Sequence, residues 1–324
     1  MSTTPRLDLT IRPRRREDDE RILEIFAQYE DAFLMTLESL RFHMDERVRE
    51  PGMEPQSRVA ESDGRVVGDS YLEPHGWTTE QGVFFTQIEV DRDLWGNGIG
   101  SRLWQDVEEL LRERQARKVY TRIAEDMEHS RQFASARGFA PTGRAERYSR
   151  LDVAAANLEG YEGIEDALRA RGIVIKPLSE VDYKDETFVR GLYDAATAAV
   201  RDIPSTEDFR PTPYEVWRQN FLKSPSSKPE AYFVAFHDGR PIGLANLSIN
   251  SKTLAFNGLT GVMPEFRGMG VARGLKLRTI EWSRANGITH IHTSNDAENK
   301  RMLAINVRLG YQPLPAREEW LKEL

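Results

Sequence analysis

Two glycine clusters, Gly96-Asn97-Gly98-Ile99-Gly100 and Gly268-Met269-Gly270-Val271-Ala272, are the stretches of this chain best suited to hold a charged ligand. Each leads into a segment with the apolar periodicity of a helix. The first N–H groups of a helix lack intrahelical partners and lie at the positive end of its dipole, so a loop without Cβ atoms there lets phosphate oxygens approach the backbone. The other reading of such a cluster is a tight strand-to-helix turn with no ligand; finding the cluster twice weakens it. Neither cluster has the G-x-x-x-x-G-K-[ST] spacing of a P-loop. Neither is G-x-G-x-x-G, and the strand before each falls late in an antiparallel run, whereas the dinucleotide fingerprint opens a β-α-β unit. Two residues beside the clusters suit proton transfer. Glu89, on the strand before the first, is either a base or a solvated surface residue. The matching position before the second is Gly261, preceded by Thr260, whose hydroxyl suits the holding of a water.

The 324 residues include no cysteine, which excludes disulfides, thiolate metal sites and a cysteine nucleophile. Lys and Arg number 45 against 52 Asp and Glu, a net charge of -7, the wrong sign for a protein whose main partner is nucleic acid. No apolar run approaches the roughly 20 residues that cross a bilayer, and MSTTPRLDLT lacks an apolar signal stretch. A cytoplasmic location with no membrane attachment is expected. His129, His290 and His292 are not spaced with acids as metal ligands, so no metal site is expected. The basic run Arg12 to Arg16, followed at once by Glu17 to Glu20, reads as solvated surface.

The elements that must position the clusters recur along the chain. Ile11-Arg12-Pro13 returns as Ile175-Lys176-Pro177, Asp63-Gly64-Arg65 as Asp238-Gly239-Arg240, and Arg137-Gly138-Phe139 as Leu309-Gly310-Tyr311, in the same order as the two glycine clusters. This predicts a duplicated domain with its junction between Val153 and Gly172. In the first copy, a strand near Leu7 to Arg12 precedes a helix from Asp18 to Tyr29 and a second helical region to about Arg49. A hairpin around Asp63-Gly64, a strand Val83 to Val90, a helix Ile99 to Gln115 and a strand Lys118 to Ala124 follow. The second copy repeats this with a helix Thr187 to Val200, strands Ala231 to Phe236, Ile242 to Ile249 and Leu254 to Val262, a helix Val271 to Asn286 and a strand His290 to Thr293. It adds a Pro-rich stretch, Ile203 to Pro229, predicted as a loop whose Phe209, Tyr214, Trp217 and Phe221 either anchor it to the core or line an acceptor pocket.

The run Val262-Met263-Pro264-Glu265-Phe266-Arg267-Gly268-Met269-Gly270-Val271-Ala272 resembles the acetyl-CoA signature of the GNAT N-acetyltransferases, Arg/Gln-x-x-Gly-x-Gly/Ala. Asn295, Asn299, Met302, Asn306 and Leu309-Gly310-Tyr311 resemble the later part of that family's core. The resemblance covers nearly the whole chain as two copies, a layout similar to that of mycothiol synthases. It implies an α/β (α+β) fold of two GNAT-like domains, 1–155 and 172–324, each a mixed, mainly antiparallel sheet flanked by helices. It further implies transfer of an acetyl group from acetyl-CoA, a co-substrate, by direct attack of a primary amine on a small molecule or peptide. The cofactor contacts carried over are the Val262 backbone N–H, Arg267, Gly268, Met269, Gly270, Val271, Ala272 and Asn299, and in the first copy Val90, Gly96, Asn97, Gly98, Ile99 and Gly100. Catalytic candidates are Glu89, Thr260, Asn295 and Asn306. Asn306 falls where the family often has the tyrosine that protonates the thiolate; an amide cannot do so, and is expected to hydrogen-bond cofactor or helix. Trp95 stands where the signature has Arg or Gln, and Glu125 and His129 are paired with Asn295 and Asn299. The first copy is therefore expected to be partly degenerate and the second catalytic. The competing reading is a non-catalytic acyl-CoA-binding or interaction protein.

Overall fold

The structure is a computed structural model that describes residues 7–29, 35–76, 78–201, 203, 208–225 and 227–324; Pro204 of the expected loop lies outside the described residues. The chain divides into two compact units, residues up to Gly143 with Glu318–Leu324, and Arg144–Arg317.

Unit 1 begins with β1 (Thr10–Pro13), α1 (Asp19–Phe26), α2 (Leu37–Arg41), β2 (Gln56–Ser62), β3 (Arg65–Pro74) and β4 (Val83–Val90). It continues with α3 (Ile99–Glu113), β5 (Lys118–Ala124), α4 (Glu128–Ser135) and the start of β6 (Ala140–Asp152). The β2–β3 turn holds Asp63 and Gly64 at φ 50° and 75°, as a two-residue type I′ hairpin requires. β1 to β4 pair antiparallel and β4 pairs with β5 in parallel, Val83 to Phe85 against Lys118 to Tyr120. α3 turns Leu103, Trp104, Val107, Leu110 and Leu111 inward. Burial of one such large apolar side chain stabilises by roughly 1.5–3 kcal/mol.

Unit 2 takes the rest of β6, then α5 (Ile164–Arg169), β7 (Ile173–Pro177), α6 (Glu186–Arg201), α7 (Tyr214–Lys223), β8 (Ser227–His237), β9 (Arg240–Ile249) and β10 (Leu254–Val262). After these come α8 (Val271–Ala285), β11 (His290–Asp296), α9 (Lys300–Leu309) and β12 (Gln312–Pro313), while β13 (Arg317–Glu323) belongs, from Glu318 on, to unit 1. The strands of unit 2 lie in the order β6-β11-β10-β9-β8-β7. β10 and β11 are parallel, and the pairs β6–β11, β9–β10, β8–β9 and β7–β8 are antiparallel. Its core joins Leu275 and Ile280 of α8 to Phe233, Ile242, Ala245 and Ile291 of the sheet. No helix among the described residues is long and apolar enough to cross a membrane.

Three features depart from the expected elements. β6 was not expected, because its sequence APTGRAERYSRLD is polar and its side chains are mostly half-buried or exposed, which leaves no apolar alternation to read. It pairs with β11 from His290↔Asp152 to Asp296↔Glu146, so the compact units cut the duplication differently from the halves 1–155 and 172–324. The stretch Ile203 to Pro229 contains a helix, α7, with Pro213 at its N-cap. Tyr214, Trp217 and Phe221 make one stripe on it, Trp217 stacking on Phe221 at 4.9 Å, and they pack against the core around Tyr232, so these aromatics anchor the segment. The charge run after β1 is not wholly solvated. Asp18 and Asp19 are buried, bonded to Arg12 (2.7 Å) and Arg14 (2.6 Å), because a 3-10 turn at Arg16–Asp18 folds the acids back onto the strand.

Candidate functional site

In unit 2 the parallel register of β10 with β11 runs from Leu254↔His290 to Asn257↔Thr293, and the ladder to β9 shifts between Asn257 and Thr260. Beyond Asn257 the strand departs from β11 and a gap opens. The Met263 N–H donates to Ile242 O (2.8 Å), and in an antiparallel ladder this alternation directs both polar groups of the preceding residue away from the partner strand. The Val262 N–H and C=O therefore face the gap. Arg267 closes the loop by donating from Nε to Val262 O (2.9 Å). Gly270 is the N-cap of α8 with φ 91°, a left-handed conformation that side chains disfavour. Gly261 has a steric reason instead: a Cβ there would lie 2.0 Å from the Ala199 Cβ of α6.

The gap widens into a cleft of about 850 Å³ bordered by the end of β10, the glycine loop, the first turn of α8 and the first turns of α9. Arg267, Arg273 and Arg301 are on its border, and none of the described residues bordering it is acidic. With the N-terminus of a 15-residue helix beside them, these guanidiniums concentrate positive charge of the kind that suits an elongated polyanion. Of the sequence candidates, Thr260, Val262, Arg267, Gly268, Gly270, Val271, Ala272 and Asn299 border this cleft. Asn299 also caps α9, its Oδ1 accepting from the Met302 N–H (3.3 Å). The Thr260 hydroxyl donates to Asn257 Oδ1 (3.2 Å). Met269 is exposed at the loop tip. Asn295 and Asn306 bond to each other, Nδ2 of Asn306 to Oδ1 of Asn295 at 2.7 Å, and neither is among the bordering residues; Asn306 is 2% exposed.

Unit 1 builds the same strand end and fills it. The Asp91 N–H donates to Val67 O (3.0 Å), so the Val90 N–H and C=O also face away from β3. Both are taken by Tyr29: its hydroxyl donates to Val90 O and accepts from the Val90 N–H (3.2 Å). Trp95 Nε1 donates to the same hydroxyl (2.8 Å), and its ring stacks on His129 at 4.5 Å. Burial raises the Tyr29 pKa, so the phenol stays protonated as this arrangement requires. The first cluster keeps the backbone form of the second, Gly98 being the N-cap of α3 at φ 79°, with Gly96 at φ 82°. Asn97 Nδ2 is spent on Leu94 O (3.0 Å), and Ile99 is buried against Leu103. Gly100 has a packing reason to lack a side chain, since a Cβ there would meet Phe133 at 3.1 Å. Glu89, 5% exposed, faces neither Val90's polar groups nor solvent but a separate small cavity under α1 and α2.

Helix caps correct one sequence pairing. The cap of α9 is Asn299 and that of α4 is Met127, so His129 matches Arg301 and not Asn299. Arg273, Arg301, Ala199, Phe266 and Ile305 border the cleft without having been singled out in the sequence. For Arg273 a signal existed: it lies in the first turn of α8, where the helix dipole disfavours a cation unless an anion sits beside it. It is held there by a hydrogen bond to Gly160 O and by the Tyr161 ring, 4.5 Å away.

Comparison with known proteins gives concordant results. The acetyltransferase (GNAT) family matches this chain twice, at residues 20–139 and 193–311. A tandem GNAT protein from the clavulanic acid biosynthesis pathway superposes with a TM-score of 0.71 over 98% of each chain at 21% identity. A GCN5-related N-acetyltransferase from Sphaerobacter thermophilus gives 0.69 over 99% of this chain and 97% of that one at 17% identity. At such identities these likenesses speak for the fold. The N-alpha-acetyltransferase MAK3 of Arabidopsis thaliana is 29% identical over 86 residues, 26% of this chain and 45% of that protein, so the chain spans less than half of that relative's length.

Proposed function

The chain belongs to the acetyltransferase (GNAT) family in both of its halves, and from that premise we propose that unit 2 moves an acetyl group from acetyl-CoA to a primary amine on a small molecule or peptide. The observation that carries this reading is the cleft itself, bordered among the described residues by three arginines and no acid at the point where β10 leaves β11. A phosphorylated, elongated thioester matches it in charge and length. In this reading Arg267, Arg273 and the loop from Gly268 to Ala272 receive the phosphates, and Asn299 with Met302 and Ile305 borders the thioester arm.

The amine nitrogen attacks the thioester carbonyl carbon, the C–S bond breaks, and CoA leaves as a thiolate. The Val262 N–H donates to the oxygen that becomes negative; a donor preorganised in this way is worth roughly 10²–10³ in rate. The proton lost by the ammonium passes to water held at Thr260, and water protonates the thiolate, whose modest basicity lets it leave unaided. Asn306 acts through Asn295, fixing the end of β11 against α9.

Two measurements on the full chain test this. Isothermal titration with acetyl-CoA is expected to show saturable binding, and a thiol-release assay across an amine library is expected to show turnover with at least one amine. Absence of acetyl-CoA binding at millimolar concentration sinks the reading. Binding without thiol release for any amine leaves an acyl-CoA-binding module in its place.

A further inference from the structure

Unit 1 contains a second cavity, of about 180 Å³, between its sheet and the helices α1 and α2. Ile22, Leu23, Phe26 and Met44 form its apolar side. Its floor is polar. Along β3 and β4 alternate residues share a face, and the register Asp69↔Glu89 and Tyr71↔Gln87 sets two carboxyls and an amide side by side; directly opposed side chains have Cβ atoms about 4.5–5.5 Å apart. Asp69 is 8% exposed, and its Oδ1 is buried with no hydrogen-bond partner among the described residues. Burial pushes the Asp69 carboxyl up to about 7.

The acid pair is not a requirement of this sheet. The same two positions of unit 2, one residue along from the Gly243↔Val262 pair that matches Gly68↔Val90, hold Leu244 and Gly261. Nor do the basic side chains Arg14 and His43 at the cavity bond to Asp69. Arg14 is bonded to Asp19 (2.6 Å) and Asp45 (2.9 Å). His43 is held neutral, its pKa pushed down to about 4 by burial and by Arg47 and Arg49. Its Nε2 donates to the Tyr71 hydroxyl (2.7 Å), which donates to Glu73 (2.6 Å). A buried carboxyl with a free oxygen on one wall and apolar side chains on the other matches a ligand with one cationic N–H donor and a short hydrocarbon body. A metal ion fits less well: the opposite wall is hydrocarbon, and no group of three or more His, Asp or Glu able to hold a metal occurs among the described residues. The volume is also below the roughly 300–1,000 Å³ of sites for drug-sized ligands, so the body has few heavy atoms.

We propose that unit 1 binds a small primary ammonium ion in this cavity, with the cation on Asp69 beside Glu89 and its apolar body against Ile22, Leu23 and Phe26. No acetyl transfer takes place there, since Tyr29 occupies the strand-end N–H that the reaction needs. The site is independent of the acetyl-transfer reading of unit 2.

The test is calorimetric titration of the full chain, without acetyl-CoA, using methylammonium, propylammonium and benzylammonium chloride as probes and benzyl alcohol as the neutral isostere. At least one ammonium is expected to bind with a Kd below about 1 mM, and tenfold or more tighter than benzyl alcohol. Asp69→Asn and Asp69→Leu are both expected to weaken that binding at least tenfold while acetyl-CoA binding stays unchanged; the leucine variant copies unit 2 and keeps the proposal testable if the asparagine variant folds poorly. Equal binding of ammonium and alcohol to the unaltered chain overturns the proposal, as does undiminished binding in either Asp69 variant, or binding of none of the three ammonium probes. Failure of acetyl-CoA to bind bears on unit 2 alone.

Discussion

At the ends of β4 and β10 the same two backbone groups, an N–H and a C=O turned away from the neighbouring strand, meet opposite fates. Val262 has its carbonyl capped by the Arg267 Nε and its N–H facing a cleft of about 850 Å³. Val90 has both groups capped by Tyr29, with Trp95 reinforcing the contact from the position that Arg267 holds in unit 2. The difference lies in what the first helical segment of each copy delivers to the strand end: a phenol in unit 1, and in unit 2 the methyl of Ala199, pressed so close that only glycine fits at 261. A site can thus be closed while its glycine loop keeps its form. The loop conformation is local, but the vacancy it serves depends on a side chain about 60 positions away, Tyr29 acting on Val90.

The largest effect that separates the two ends is expected from charge reversal. Arg267→Glu removes a fixed cation from the anion site and adds repulsion, and should weaken acetyl-CoA binding by about 100-fold, roughly 2.7 kcal/mol, whereas Trp95→Glu should leave it within about threefold. Titration should also give one acetyl-CoA per chain. A stoichiometry of two, or comparable losses from both substitutions, ends the distinction between an open and a closed copy.

The acid pair of unit 1 sharpens the comparison through pH. In the folded chain Asp69 holds its proton up to about 7, against an ordinary value of 3.8. Between these values the folded state carries a proton that the unfolded state has lost, so the contribution of Asp69 to stability is fully present below 3.8 and is lost as pH rises to about 7. Thermal melts of Asp69→Asn and the unaltered chain should therefore coincide near pH 4 and diverge toward pH 8, with the variant more stable by a few kcal/mol. His43 has the opposite sign. Its stabilising neutral form is complete above 6.5 and lost toward about 4, and it affects both proteins alike. Parallel curves across this range would place Asp69 in a solvated environment and remove the contrast with Leu244.

Steric contrast comes next. Gly261→Ala is expected to cost about 1–3 kcal/mol, the usual range for overpacking, because α6 must shift to admit a methyl 2.0 Å from Ala199. A melting temperature unchanged within error would show that α6 and β10 are less tightly packed than their backbones indicate. The smallest effect is that of Tyr29→Phe, which leaves the Val90 N–H without its hydroxyl partner and should cost about 1 kcal/mol. It should not raise the acetyl-CoA stoichiometry, since Trp95 still fills the position of Arg267. A second bound acetyl-CoA in this variant would show that one hydroxyl alone closes the first copy.

The sequence by itself determined what depends on neighbouring residues. The hairpin turns at Asp63-Gly64 and Asp238-Gly239, the strands Val83–Val90 and Leu254–Val262 and the glycine clusters before α3 and α8 all stand where their spacing predicts them, because positive φ and apolar periodicity are local properties. The duplication was legible for the same reason, each copy repeating its local signals. Trp95 in place of Arg267 already pointed to the second copy, but how the first is closed was decided by tertiary structure alone, since that rests on Tyr29 and Ala199 reaching strands far along the chain. It also decided where Glu89 points, because a strand residue's face is set by what packs on the sheet, and here α1 and α2 cover it with a cavity rather than leaving it to solvent. The polar strand β6 belongs in the same class. It carries no apolar pattern of its own, and is held by backbone hydrogen bonds to β11, whose formation the identity of its side chains does not announce.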